Sequence, residues 1–140
     1  MCISIISCMY LNARSLINKT PLLENYVNVN KPTIVGITET WAKPDFPDGL
    51  YAIPGYQIIR DDRVNKRGGG VMLYLHKEIE SSEIALHSPS IEFEYVCCKL
   101  HLTNSKFFGI LCLYRPPNIS STGDLALTNL ITEFLDLKFL

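Results

Sequence analysis

The stretch IVGITETW, residues 34–41, decides the fold prediction. Its first four residues are apolar, and an apolar run of this length is typical of a strand buried on both faces. The run leads into Glu39, which lies two residues before the only tryptophan of the chain, Trp41. A buried strand that finishes on a carboxylate raises the question of what this carboxylate binds.

The segments before this stretch predict a strand–helix–strand unit. Residues 3–10 are apolar and rich in isoleucine, which indicates a buried strand that leads into Asn12. Thr20 and Pro21 are typical of a helix start, with the threonine as cap, and Lys31-Pro32 of its end. The apolar residues between follow at helical spacing: Leu22, Leu23, Tyr26 and Val27. Two buried strands joined by a helix indicate a right-handed parallel crossover.

The rest of the chain predicts antiparallel strands and one more helix. Residues 43–56 are rich in proline, glycine and aromatics, which indicates an irregular loop. Four strands joined by turns rather than helices favour antiparallel pairing, and they are expected at 56–60, 71–75, 91–102 and 106–114. An amphipathic helix follows, with Asp124 as its cap and an apolar face of Leu127, Leu130, Ile131, Phe134 and Leu135. We therefore predict one α/β domain over residues 1–140, with a mixed sheet and two helices.

Composition places the chain among ordinary globular proteins. It has 140 residues, 47% hydrophobic and 19% charged, and a formal net charge of −1. Any case for nucleic-acid binding therefore rests on local charge rather than on the overall balance. The opening MCISIISCMYL lacks the basic leader of a signal peptide and is too short to span a membrane. We expect an intracellular protein, nuclear or cytoplasmic, without a membrane partner.

The five cysteines are predicted to be buried free thiols of a reducing compartment, because all lie in apolar runs without regular spacing. A zinc site built from Cys97, Cys98 and His101 is disfavoured. On a strand Cys98 points away from the face that the other two share.

Polar side chains stand where three predicted strands end. Asn12 follows the first strand, Glu39 the second, and Tyr114 the strand that begins near residue 106; Arg14 and Arg115 come just after the first and third of these ends. Ligands of open α/β sheets collect at the carboxyl ends of the strands. A glutamate suits Mg²⁺, and tyrosine and arginine donate hydrogen bonds to phosphate. Each feature alone is weak evidence, since a strand-end glutamate is usually solvated and a strand-end asparagine usually forms a turn.

The segment RDDRVNKRGGG, residues 60–70, leaves two interpretations open. It is a solvated hairpin turn in which glycines permit positive φ, or a flexible basic edge whose Arg63, Lys66 and Arg67 meet a phosphate backbone. The spacing excludes a P-loop.

Five blocks in order carry a family resemblance: LNARSL at 11–16, ITETW at 37–41, IPGYQIIRDDR at 53–63, RGGGVMLYL at 67–75 and LYRPP at 113–117. Together they resemble the first half of an endonuclease/exonuclease/phosphatase domain, and specifically the endonuclease domain of jockey-like non-LTR retrotransposons. The resemblance implies the N-terminal half of a four-layer α/β sandwich and Mg²⁺-dependent cleavage of DNA. By motif, Asn12 and Glu39 would be catalytic and hold the metal, and Tyr114 would contact the scissile phosphate.

The second-half blocks of that family, G-D-F-N and S-D-H, do not occur in the chain. One glutamate and one amide hold Mg²⁺ loosely, and without a general base the water nucleophile is not activated. We therefore expect a C-terminally truncated, inactive domain that uses no small-molecule cofactor. Two alternatives stay open: a non-catalytic binding remnant, and a phosphatase member of the same superfamily.

Overall fold

The computed structural model describes residues 5–87, 92–102 and 106–137. Within these ranges the chain forms seven strands, two α-helices and one short 3-10 turn, Asp48–Leu50. In chain order the elements are β1 Cys8–Asn12, α1 Thr20–Asn30, β2 Ile34–Thr38, β3 Tyr56–Asp61, β4 Val71–His76, β5 Glu80–Glu83, β6 Glu94–His101, β7 Phe107–Tyr114 and α2 Ser121–Asp136.

The first sheet has the strand order β1-β2-β4-β3. Strand β1 runs parallel to β2, with Cys8 opposite Ile34 and Asn12 opposite Thr38, so the predicted parallel connection through α1 is confirmed. Strand β4 is antiparallel to both β2 and β3. The sheet is therefore mixed, as predicted.

The second sheet has the order β5-β6-β7 and is antiparallel throughout. The predicted antiparallel pairing of the later strands is thus confirmed. Strand β5 was not predicted, because its sequence ESSE lacks the apolar and β-branched residues that mark a strand. It forms because its backbone pairs with the edge of β6.

The two sheets pack face to face, with one helix on each outer side. Apolar side chains of both sheets fill the space between them, among them Ile34, Val71, Leu73, Val96, Cys98, Leu100 and Cys112. Leu23 and Val27 of α1 pack on the outer face of the first sheet. Leu127 and Leu130 of α2 pack on the second. The layers run helix, sheet, sheet, helix, which is the predicted four-layer α/β architecture.

The predicted helix caps are wrong by one or a few residues. Lys19, not Thr20, is the N-cap of α1, and no side chain caps that helix end. In α2 the cap is Ser120, whose side chain accepts a hydrogen bond from the Gly123 amide at 3.0 Å. Asp124 lies inside the first turn of α2 instead, because the serine already satisfies the free amide there.

Two other expectations need correction. The first strand begins at Cys8 rather than near residue 3, and Ile5 is 79% exposed. Residues 1–4 lie outside the described part of the chain. Of the cysteines, Cys97, Cys98 and Cys112 are buried and free, but Cys8 is exposed because β1 is the edge strand of its sheet. The predicted burial of all five is therefore wrong at Cys8, and Cys2 lies outside the described residues.

Neither helix among the described residues has the length and the apolar character that a bilayer crossing requires.

Candidate functional site

A hydrogen bond joins the two sheets at the edge where β2 and β7 end. The Tyr114 hydroxyl donates to Glu39 Oε1 at 2.8 Å, although the residues are 75 apart in the sequence. Burial raises the pKa of Tyr114, and the hydrogen bond and the charge of Glu39 raise it further, while the charge of Arg63 opposes them. Tyr114 therefore stays a neutral hydrogen-bond donor at physiological pH.

Glu39 sits in strained backbone. Its φ is +51°, and Trp41 has a φ of +55°, in a region that only glycine adopts without cost. The neighbouring loop after β1 is similar, with φ of +47° at Arg14 and +79° at Ser15. The Ser15 amide donates to the Glu39 carbonyl at 3.0 Å, which ties the two loops together. Left-handed residues that cluster at one edge are typical of a functional site.

Asn12 lies on the same edge as Glu39. It is the last residue of β1 and pairs with Thr38, the residue just before the glutamate. Its side chain is exposed and makes no hydrogen bond to any other described residue. The structure thus places Asn12 at the strand edge next to the residue that precedes Glu39, with its side chain exposed.

Arg63 also reaches this edge, held by a carboxylate that the sequence analysis missed. Glu94, the first residue of β6, is only 3% exposed. Its Oε2 lies 3.3 Å from Arg63 Nε, and its Oε1 accepts from the Gly70 amide at 2.5 Å. The Arg63 guanidinium carbon lies 5.9 Å from the centre of the Tyr114 ring. Arg63, one of the predicted binding residues, therefore lies next to Tyr114 at the same edge as Glu39.

The glycine run after Arg67 makes room for this arrangement. Gly68, Gly69 and Gly70 have φ of +89°, +64° and +92°, so the predicted positive φ of the turn is confirmed. A Cβ at Gly69 would lie 2.2 Å from Glu94 Oε1 and 2.4 Å from the Arg63 guanidinium carbon. A side chain at Gly69 would therefore have to displace the ends of Glu94 and Arg63, in addition to adopting a strained backbone.

The exposed cations Lys66 and Arg67 lie on the loop between β3 and β4 and line an open cleft of about 940 Å³. Trp41, Lys43, Phe46 and Ser15 also line this cleft. Three of these side chains are cations and two are aromatic, a combination that suits a nucleotide or a phosphate.

The two arginines that follow strand ends are placed differently. Arg14 is exposed directly after β1, within the strained loop beside Glu39. Arg115 donates from Nε to Asp124 Oδ1 at 2.8 Å and so is paired with the first turn of α2. The structure therefore brings Arg14, but not Arg115, to the Glu39 loop.

The oxygen donors at this edge suit a hard cation but do not form a closed cage. No three His, Cys, Asp or Glu side chains of the described ranges cluster as a metal site would require. Glu39 contributes a carboxylate and Asn12 an amide oxygen. Mg²⁺ takes few protein ligands of this kind and completes its shell with water and phosphate. The residues present therefore fit Mg²⁺ only as an open, weakly held site.

Comparison with known proteins places the fold. No protein-family model and no curated protein matches the chain. The structure is similar to AP endonuclease LMAP from Leishmania major, with a TM-score of 0.66 and 16% identity over 86% of this chain and 43% of that chain. It is also similar to a 3′-5′ exonuclease from Neisseria meningitidis, with a TM-score of 0.65 and 15% identity over 93% of this chain and 53% of that chain.

A third similar structure is D. rerio TDP2 complexed with single strand DNA product, with a TM-score of 0.64 and 16% identity over 97% of this chain and 57% of that chain. The chain thus spans about half the length of the solved structures it matches. At these identities the likeness shows the fold alone. The fold is that of the endonuclease/exonuclease/phosphatase type, as the five sequence blocks predicted.

Proposed function

We propose that the chain forms the N-terminal part of a Mg²⁺-dependent phosphodiesterase site that acts on DNA. Glu39 and Asn12 would hold the metal, and Tyr114 and Arg63 would contact the phosphate. The observation that carries the proposal is the 2.8 Å hydrogen bond from Tyr114 to Glu39, which brings a metal-type ligand and a phosphate-type donor to one point. A phosphate oxygen bound to a metal ion at Glu39 would lie close to the Tyr114 hydroxyl.

The chemistry divides between the metal and the side chains. Bound Mg²⁺ would neutralise charge that develops on the phosphate. The Tyr114 hydroxyl has one hydrogen, which Glu39 accepts in this structure. When Glu39 is engaged with a cation, that hydrogen becomes available to a phosphate oxygen. Arg63, held beside the Tyr114 ring, adds a permanent positive charge.

DNA as the substrate is supported by two features. Two of the similar structures are nucleases, and the third is complexed with a single-stranded DNA product. In this chain Lys66 and Arg67 are exposed on the cleft next to Trp41, where a phosphate backbone would meet them. The retrotransposon type of endonuclease is the form of this proposal that the sequence blocks favour.

We propose further that residues 1–140 by themselves do not cleave DNA. None of the three histidines lies at the Glu39 edge. His76 ends β4 and donates its backbone amide to Thr33, before the start of β2; His101 pairs with Phe107, at the start of β7. His87 contacts Glu133 of α2 at 2.8 Å. No histidine is therefore in position to serve as a general base for a water molecule at Glu39.

Metal binding can be tested with terbium as a luminescent substitute for Mg²⁺, since both prefer oxygen ligands. Trp41, two residues from Glu39, is the only tryptophan and would transfer excitation energy to terbium bound there. We expect sensitised emission that Mg²⁺ displaces and that Glu39→Gln removes. Glu78→Gln is the matched control, because Glu78 is exposed in the turn after β4, beyond the far end of that strand. Equal emission from the wild-type chain and Glu39→Gln would refute the metal assignment.

Cleavage is tested by incubating supercoiled plasmid with the purified chain and Mg²⁺. We expect no nicking above the buffer control. Nicking that disappears in Glu39→Ala would overturn the proposed inactivity while supporting the nuclease site. DNA binding that neither chelation nor Glu39→Gln changes would instead favour the non-catalytic binding module.

A further inference from the structure

Glu94 is a buried carboxylate that the proposed chemistry does not use. It opens strand β6 and is 3% exposed, so its charge is removed from water. A buried charge is unfavourable unless a partner and hydrogen bonds compensate it. Its compensating contacts are the Arg63 guanidinium at 3.3 Å and the Gly70 amide at 2.5 Å.

Arg63 has several partners in the described ranges, and one nitrogen of its guanidinium has none there. Nε faces Glu94, and Nη1 donates to the Arg67 carbonyl at 3.5 Å. The guanidinium stands over the Tyr114 ring. Nη2 is buried and has no hydrogen-bond partner among the described residues. A buried donor without a partner is unfavourable, and a phosphate oxygen is an acceptor that would satisfy it.

We infer that Glu94 is a positioning residue that fixes Arg63 beside Tyr114, so that Arg63 Nη2 donates a hydrogen bond to a phosphate oxygen of the bound nucleic acid. The inference rests on the proposed function for its ligand, but the placement of Arg63 by Glu94 can be measured without any ligand. The glycine run supports it, because a side chain at Gly69 would displace both members of the ion pair.

The inference predicts that Glu94→Gln weakens nucleic-acid binding, whereas the change in net charge alone predicts stronger binding. Removing a negative charge from a protein should strengthen its binding to a polyanion, because the electrostatic potential becomes more positive. If Glu94 positions Arg63, then Glu94→Gln should weaken binding, since the released guanidinium no longer meets the phosphate. The carbonyl oxygen of the introduced glutamine side chain could still accept from the Gly70 amide, so the variant keeps the hydrogen bond just before β4.

The binding test uses a fluorescein-labelled single-stranded oligonucleotide and fluorescence anisotropy over a series of salt concentrations. We expect Glu94→Gln and Arg63→Met each to weaken binding several-fold. Each should also lower the slope of log Kd against log salt by about 0.7, the value of one phosphate contact on a single strand. The double variant should show no further loss in affinity or slope, because both changes remove the same contact.

The double variant also separates positioning from folding. Breaking one partner of a buried ion pair destabilises a protein, whereas removing both charges restores much of the lost stability. If Glu94 and Arg63 both served the fold alone, the double variant would therefore recover both stability and binding. Under the inference it recovers stability in urea denaturation and does not recover binding.

Asp61→Asn is the matched control. Asp61 is a partly buried carboxylate at the end of β3, and its Oδ2 accepts from the Tyr95 amide of β6 at 2.9 Å. The variant removes one negative charge close to the start of β6 but leaves Arg63 untouched. We expect unchanged or slightly tighter binding and an unchanged salt slope.

The ligand-free measurement is hydrogen exchange of the Arg63 Nε–H group, followed by side-chain NMR. Slow exchange should be seen in the wild-type chain and Asp61→Asn and be lost in Glu94→Gln. Tighter binding by Glu94→Gln, or an unchanged exchange rate, would overturn the inference. If the wild-type chain does not bind the oligonucleotide, the proposed function fails, and the exchange rates still decide whether Glu94 holds Arg63.

Discussion

Gly36 of β2 and Cys112 of β7 face each other across the two sheets, and a Cβ at position 36 would lie 3.1 Å from Cys112 Sγ. Tyr114 is two residues beyond Cys112 and so lies on the same face of its strand. The close approach that the glycine permits therefore sets the distance over which Tyr114 reaches Glu39. The site depends on how tightly the two sheets pack.

Gly36→Ala should push Cys112 and the two sheets apart. The added Cβ forces the Cys112 sulfur to shift by a few tenths of an ångström, and overpacking of a protein interior costs about 1–3 kcal/mol. We expect the free energy of unfolding, measured by urea denaturation, to fall by about 1 kcal/mol relative to Gly49→Ala. Gly49 is the control because a Cβ there meets nothing within 4 Å. The loss should vanish when Gly36→Ala is introduced into a Cys112→Ala chain and compared with Cys112→Ala alone. Equal stability of Gly36→Ala and Gly49→Ala would contradict the prediction.

Gly69→Ala should be far more destabilising than its backbone conformation alone explains. Both Gly69 and Gly55 have positive φ, at +64° and +88°, so alanine is strained at either position. A Cβ at Gly55 meets nothing, whereas one at Gly69 collides with Glu94 and Arg63. Gly55→Ala should cost about 1 kcal/mol and Gly69→Ala at least about 2 kcal/mol more. Similar urea midpoints for the two variants would show that the ion pair can move aside.

Tyr114→Phe removes the hydrogen bond to Glu39 and leaves the ring in place. A hydrogen bond to a buried charged group contributes about 1.5–3 kcal/mol, and the partial exposure of this one brings its contribution below that range. We expect a loss of roughly 1 kcal/mol in the free energy of unfolding. Tyr26→Phe is the matched variant, since Tyr26 is 48% exposed on α1 and should change stability by less than about 0.5 kcal/mol. A Tyr114→Phe chain as stable as Tyr26→Phe would mean that the hydrogen bond does not persist in solution.

Stability should fall between pH 9 and pH 10 in the presence of a reducing agent. Burial raises the pKa of Cys98 to about 12 and that of Cys97 and Cys112 to about 11, against an ordinary value of 9.0. In this window the unfolded chain loses thiol protons and the folded chain keeps them, so the free energy of unfolding decreases as pH rises. Each fully ionised thiol adds a slope of about 1.4 kcal/mol per pH unit.

The control for this pH dependence is Cys8, which is exposed. Cys98→Ala should reduce the slope of the free energy of unfolding against pH by the contribution of one thiol. Cys8→Ala should leave that slope unchanged. A slope that responds equally to both substitutions would place the titrating groups elsewhere.

Much of the fold follows from local sequence. The apolar runs at 34–37 and 71–75 are buried strands, as their composition predicts. Helix α1 connects β1 and β2, which run parallel as predicted. The strand ends Asn12, Glu39 and Tyr114 could be found because each polar residue closes an apolar run. The face of a helix was harder to predict: Leu22 is 74% and Leu135 72% exposed, although both fit the helical spacing. An apolar residue at the margin of a helical face stays in water when no neighbouring layer reaches it.

Glu94 was missed because a glutamate at the start of a strand is usually solvated. The two-residue repeat of a strand could have revealed it, because Glu94 lies on the same strand face as the apolar residues Val96, Cys98 and Leu100. That pattern places a carboxylate on the buried face, and an inward carboxylate requires a cation. The partner, Arg63, lies 31 residues earlier in a turn, and only the tertiary structure brings the two together.

The left-handed backbone at Arg14, Ser15, Glu39 and Trp41 lowers stability at the edge of the molecule where the proposed site lies. Glycine at any of these positions would relax the chain by about 1 kcal/mol. Engineering for heat resistance by that route would remove Glu39, the carboxylate of the proposed metal site. The proposed metal ligand is thus one of the most strained residues of the backbone.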